Sequence, residues 1–226
     1  MVRHCFLAVH NQQICLAVSG QREIFHLEDL SLLGAFVKSH KLFGASCTSY
    51  LSMKDFQLLK TKRPRVAQNE LIEALKWQEE SRFSQPADKL IVDYLDIPAS
   101  SQAEEVFAIA ISRDYLEGYQ DGLELAGLQS SVISISPLAY SQYLKNKFST
   151  YPVVVWINLF DGAQVANAYH NGELVESIRL PSFNKGWDAG SGDMLKRIYE
   201  EKLANTSKNI CWVVNSLDVE LLNKIK

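Results

Sequence analysis

The stretch VVVWINLFDGAQVANAYHNGELVESIRL, residues 153–180, decides the fold. Val153 to Leu159 is an apolar, β-branched run. It meets Asp161-Gly162, continues as Ala163 to Tyr169, meets Asn171-Gly172, and continues again as Glu173 to Leu180. Asx-Gly between two such runs signals a type I′ hairpin, whose central residues need positive φ. The segment therefore predicts two consecutive hairpins, a three-strand meander.

Working outward, the same grammar appears at the N-terminus. Cys5 to Val9, Ile14 to Ser19 and Glu23 to Leu27 predict a first meander, and Ser31 to Lys41 predicts an amphipathic helix through Leu32, Leu33, Phe36 and Val37. A strand over Ala45 to Leu51 follows. After the second meander the pattern predicts a helix from about Asp193 to Ala204, a strand over Ile210 to Val214 and a last helix from Asp218. Both ends of the chain thus run as three strands, a helix and a strand. Between them lie a strand over Phe56 to Thr61, a helix over Asn69 to Phe83, strands over Leu90 to Leu95 and Val106 to Ile111, and a helix over Asp114 to Leu125 closed by Gly127. A strand over Val132 to Ile135 and a helix from Pro137 to about Phe148 complete this middle part.

Repetition of one strand-helix order predicts an α/β protein with the duplicated ribonuclease-H-like core of the actin and sugar-kinase superfamily, a statement about fold and not function. The expected division is a first lobe over 1–150, with an α/β subdomain inserted at about 56–112, and a shorter, truncated second lobe over 151–226.

Composition narrows the function. With Lys and Arg 23, Asp and Glu 26, net charge -3 and a pI near 6.0, the chain lacks the basic excess that phosphate neutralisation demands, so nucleic-acid binding is not expected. The 4 cysteines, Cys5, Cys15, Cys47 and Cys211, form no C-x-x-C pair and suit a reducing compartment. Residues 1–20 are interrupted by His10, Asn11, Gln12 and Gln13, which excludes a signal peptide or spanning helix there, and no transmembrane segment is expected elsewhere. The 5 histidines have no zinc-like spacing, and no metal site is expected.

Nucleotide chemistry in this fold would need an acidic residue and glycine-containing turns at the first hairpin of each lobe. The first turn reads His10-Asn11-Gln12-Gln13 and offers neither. The second keeps Asn158, Asp161 and Gly162, a degenerate phosphate turn, although Asp-Gly already serves the hairpin. Gly186, Gly190, Ser191 and Gly192 precede a helix, but Asp193 fills its positive end as a cap. No Walker motif and no Gly-Gly pair occur, and a kinase-like enzyme would lack its acidic base and adenosine loop. The paired carboxylates Glu79-Glu80, Glu104-Glu105 and Glu200-Glu201 read as solvated faces. Trp77 and Phe83, on the helix of the inserted subdomain, are the aromatic side chains that could anchor a partner peptide, with inward packing as the alternative.

From Tyr50 to Pro98 the sequence resembles a known family. Leu51-Ser52, Phe56-Gln57-Leu58-Leu59, Arg63-Pro64, Glu70-Leu71, Ala74-Leu75-Lys76-Trp77-Gln78, Asp93-Tyr94-Leu95 and Pro98 are similar to the MSHA pilus biogenesis protein MshI, and more distantly to PilM and the cytoplasmic domain of GspL. The resemblance implies a cytoplasmic actin-like domain, peripheral to the inner membrane, that docks the tail of a PilN-like bitopic partner. It also implies a link to an assembly ATPase and leaves room for a homodimer. PilM-like members bind ATP, whereas GspL-like domains keep the fold without clear catalysis, and the turns place this chain with the latter. The expectation is a non-enzymatic scaffold of a pilus or type II secretion platform with no cofactor, ATP with Mg²⁺ being the alternative. Relatives of MshI type continue into a membrane-spanning segment, so the resemblance leaves two alternatives, peripheral attachment or, in a longer full-length protein, a direct membrane anchor beyond Lys226.

Overall fold

A computed structural model describes residues 4–10, 13–18, 21–26, 30–97, 104–158, 164–180 and 210–215. The helices expected at 193–204 and from 218 lie outside the described residues. The chain divides into two compact units: Met1–Leu95 with Val106–Ser136, and Asp96–Glu105 with Pro137–Lys226.

In the first unit, β1 (His4–His10), β2 (Gln13–Val18) and β3 (Gln21–His26) form the expected antiparallel meander. Helix α1 (Leu30–Ser39) then carries the chain over the sheet, so that β4 (Ala45–Leu51) runs parallel to β1, as a crossover connection allows. Strand β8 (Leu128–Ile135) lies parallel on the far side of β4, giving the order β3-β2-β1-β4-β8. Buried and half-buried residues alternate along β4, and the buried set Ala45, Cys47, Ser49 and Leu51 shares one face. Ala45 and Cys47 on that face join Leu33 and Val37 from α1, and Leu123 from α3 (Arg113–Leu125), in one core. Cys5 and Cys47 are directly opposed on β1 and β4, both unexposed and both free thiols. Interaction with the opposed Cys5 sulfur, reinforced by burial, pushes the Cys47 thiol far above the usual thiol range, so the Cys47 sulfur acts as a small core hydrophobe.

Strand β8 starts at Leu128, four residues before the expected Val132. The intervening Gln129, Ser130 and Ser131 are polar, yet Ser131 Oγ donates to the Cys47 carbonyl at 2.9 Å and accepts from Ser46 Oγ at 2.8 Å. Cross-strand hydrogen bonds replace the apolar signal there.

Inserted between β4 and β8 is a three-stranded sheet of β5 (Gln57–Lys62), β6 (Leu90–Asp96) and β7 (Glu105–Ser112), in the order β5-β7-β6. The long helix expected at 69–83 is instead a 3₁₀ turn at Gln68–Glu70, helix α2 (Leu71–Gln78) and a second 3₁₀ turn at Glu80–Arg82. The break falls where Glu79 turns inward. Only 3% exposed, Glu79 is not the solvated carboxylate its Glu-Glu context suggests, unlike the exposed Glu80, Glu104 and Glu105.

The second unit repeats the wiring. Strands β9 (Val153–Asn158), β10 (Val165–His170) and β11 (Glu173–Arg179) form an antiparallel meander, and β12 (Ile210–Asn215) lies parallel to β9, giving β11-β10-β9-β12. Strand for strand this is the order and direction of β3-β2-β1-β4, so the ribonuclease-H-like core is duplicated. Helix α4 (Ser136–Lys147) belongs to this unit: Tyr169 Oη donates to the Pro137 carbonyl at 3.0 Å, and Tyr140 stacks on Trp156 with ring centroids 5.0 Å apart.

At the β10–β11 turn Asn171 and Gly172 have φ of 53° and 82°, the type I′ geometry read from the sequence. A Cβ on Gly172 would sit 2.7 Å from Lys145 Cβ, an atom too near its own backbone to swing away. Gly172→Ala therefore combines left-handed strain with a clash, and a loss of about 1–3 kcal/mol is expected. A urea titration followed by circular dichroism checks this; an unchanged midpoint would contradict it.

Candidate functional site

The hairpin turns are the places where this fold could hold a phosphate. Strands β1 and β2 stay paired as far as His10 and Gln13, so only Asn11 and Gln12 link them. In the second meander the last described pair of β9 and β10 is Asn158 with Val165. Asp161 and Gly162 lie outside the described residues, as do Gly186, Gly190, Ser191, Gly192 and Asp193.

Asn158 ends β9 and is only 5% exposed, paired with Val165 on one side and Asn215 on the other. Its carboxamide is neutral, so it neutralises no phosphate charge and is a weak ligand for Mg²⁺, which takes carboxylates and water. Among the described residues no group of three or more His, Cys, Asp and Glu side chains is placed to hold a metal. Nor, among them, is any helix long and apolar enough to cross a membrane.

The second candidate surface is α2. Leu71 and Leu75, four apart, point inward and are 1% and 0% exposed. They pack with Phe83, Leu90, Val92, Val106, Ala108 and Ala110. Phe83 is thus a core residue at 8% exposure, and in this arrangement its ring is spent on internal packing and is not presented to a partner. Trp77 is the reverse, at 57% exposure. Its indole Nε1 donates to Glu73 Oε1 at 2.7 Å, one turn back, and Lys76 Nζ stands 5.9 Å from the ring centroid. These contacts hold the rotamer, with Lys76 over one face of a ring that stays more than half exposed, the condition under which an aromatic anchor loses little entropy on docking. Ile72, 42% exposed, lies about 140° around the helix from Trp77, on the other flank of the inward stripe. The helical repeat sets Trp77 apart from the inward stripe: at about 100° per residue, it lies about 200° around the helix from Leu75.

Beside α2, Arg63 stands 5.6 Å from the Tyr94 ring centroid and donates to Gln68 Oε1 at 2.8 Å, and Gln68 Nε2 donates to the Tyr94 hydroxyl. This chain of contacts binds the loop before α2 to strand β6. The sequence alone gave Arg63, Gln68 and Tyr94 no joint role, because 26 residues separate the last two.

No family model matches the sequence, and no curated protein matches it significantly. Solved structures do. The cytoplasmic domain of EpsL, an inner membrane component of the type II secretion system of Vibrio cholerae, superposes with a TM-score of 0.57 at 12% identity, over 96% of this chain and 84% of that one. The PilM–PilN type IV pilus biogenesis complex gives 0.65 at 17% identity, over 88% and 70%. A Bacteroides thetaiotaomicron protein with actin-like ATPase fold and unknown function gives 0.59 at 8%, over 99% and 87%. At these identities the likeness establishes the fold, which is actin-like.

Proposed function

We propose that this chain is a non-enzymatic scaffold at the cytoplasmic face of an inner membrane, part of a pilus or type II secretion assembly platform of the MshI, PilM and GspL kind. It docks the tail of a PilN-like membrane partner. The observation that carries the reading is the fold likeness to the EpsL domain and the PilM–PilN complex over most of the chain, joined to the MshI-like residues between Tyr50 and Pro98. The link of only Asn11 and Gln12 between β1 and β2, with no carboxylate or glycine, supports a scaffold that needs no nucleotide. An assembly ATPase and a second copy of the chain are further partners the reading accommodates.

The rival reading, an ATP-binding protein whose nucleotide state tunes partner binding, draws on Asn158 at the end of β9 and on the Asp161-Gly162 that follows it in the sequence. Thermal melting separates the two, since a ligand at about 100 times its Kd adds roughly 2.7 kcal/mol to the native state. The scaffold predicts a melting temperature unmoved by millimolar ATP with Mg²⁺; a rise of several degrees moves the conclusion to the rival. On the partner side, titration with a synthetic PilN-type tail is expected to give saturable binding, weakened about tenfold or more by Trp77→Ala, as for a docking anchor. Equal affinity of Trp77→Ala and the parent protein removes α2 from the interface, and no binding by either removes the partner.

A further inference from the structure

The face of β9 and β10 turned toward α4 holds an unsettled hydrogen-bond account. Trp156 on β9 and Asn167 on β10 are directly opposed partners, so their side chains share that face. Tyr169, two residues along β10, bonds the first turn of α4, and Tyr140 of α4 stacks on the Trp156 ring, which places both residues beneath the helix. Asn167 is 0% exposed; its Oδ1 accepts from Ser177 Oγ at 2.7 Å, which fixes the carboxamide and leaves Nδ2 as the free end. Neither Asn167 Nδ2 nor Trp156 Nε1, both out of solvent contact, has a hydrogen-bond partner among the described residues.

A buried donor left alone is destabilising, because it has given up its bond to water and gained none, and two at one cross-strand pair are two such losses at one place. We infer that the seam between α4 and the β9–β10 pair binds a single internal water, whose oxygen accepts from Asn167 Nδ2 and Trp156 Nε1. Water suits the site because its oxygen has two lone pairs for two donors. The opposed pair and its adjacent face neighbours Val154, Val165, Tyr169 and Ser177 are neutral, and the cation next along that face, Arg179 opposite Val165, is exposed to solvent, so a buried anion at the pair would lose its hydration without an adjacent charge. The water would tie β9 to β10 two residues before Asn158.

Two measurements on the whole 226-residue chain test this. A crystal structure that resolves ordered water, from crystals grown in bromide, is expected to show one water peak within hydrogen-bonding distance of both nitrogens and no anomalous signal at that position. A bromide peak there, or a dry contact without density, overturns the assignment. In solution the Trp156 indole proton is expected to show a through-space cross-peak to a long-lived water; its absence in a spectrum where other buried waters are seen overturns it equally.

Discussion

Leu75→Ala is expected to destabilise the first unit by about 3 kcal/mol, a fall of roughly 6–12 °C in the melting transition that reports it. Leu75 is unexposed and sits where α2 meets Leu71, Phe83, Val106 and the rest of the small sheet's core. Truncation loses the transfer energy of the removed carbons and leaves a cavity that a short helix held between two 3₁₀ turns closes only in part. Leu75→Met keeps the volume and is expected to cost less than about 1.5 kcal/mol. The functional consequence is specific, because Leu75 and Trp77 are opposite sides of one helix of eight residues. Loosening the inward side frees the outward one, so Leu75→Ala should weaken tail binding as Trp77→Ala does, but with a lowered melting temperature. A loss of stability below about 1 kcal/mol in urea titration would show that α2 is not seated by this core.

That helix also shows where the sequence stops being legible. The two meanders could be read because their information is local: alternation along a strand and an Asx-Gly turn, both within a few residues. The order β3-β2-β1-β4 repeated as β11-β10-β9-β12 follows from the meanders plus a crossover helix, so the duplicated fold was legible too. Less local facts were not. Glu79 looks like one of a solvated acidic pair, and only the arrival of Thr61 from β5 makes burial affordable. Phe83 and Trp77 look alike as aromatics near one helix, yet the break at Glu79 sends the first into the core and leaves the second outside. The two-residue link after His10 depends on where strand pairing stops, a property of two strands together that neither carries alone.

Glu79 carries the second large effect, and its sign with pH can be stated in advance. Its Oε1 accepts from the Thr61 hydroxyl and, at 3.0 Å, from Gln78 Nε2, while Oε2 accepts from the Arg82 guanidinium. Gln78 also donates to the Lys62 carbonyl at 3.0 Å, so the end of α2 is stitched along β5, a strand at the edge of its sheet whose backbone would otherwise be open to pairing. Burial by itself raises the carboxyl's pKa, but the hydrogen bonds from Thr61 and Gln78, with the Arg82 charge, outweigh it and hold the group below its ordinary value. Glu79→Ala leaves Thr61 and Gln78 short of an acceptor, at an expected cost of about 2–3 kcal/mol near neutral pH. Since the folded pKa is depressed, the native state binds its proton less readily than the unfolded chain does. The carboxylate's contribution is therefore complete above the unfolded value of about 4.3 and is lost as pH falls through the folded value. Glu79→Gln, which keeps the shape and one acceptor oxygen, should accordingly differ most from the parent protein near about pH 7 and converge with it as pH drops below about 4. Equilibrium unfolding across that range decides the matter: a difference that stays constant with pH would mean that the stitch rests on Glu79's shape and not on its charge.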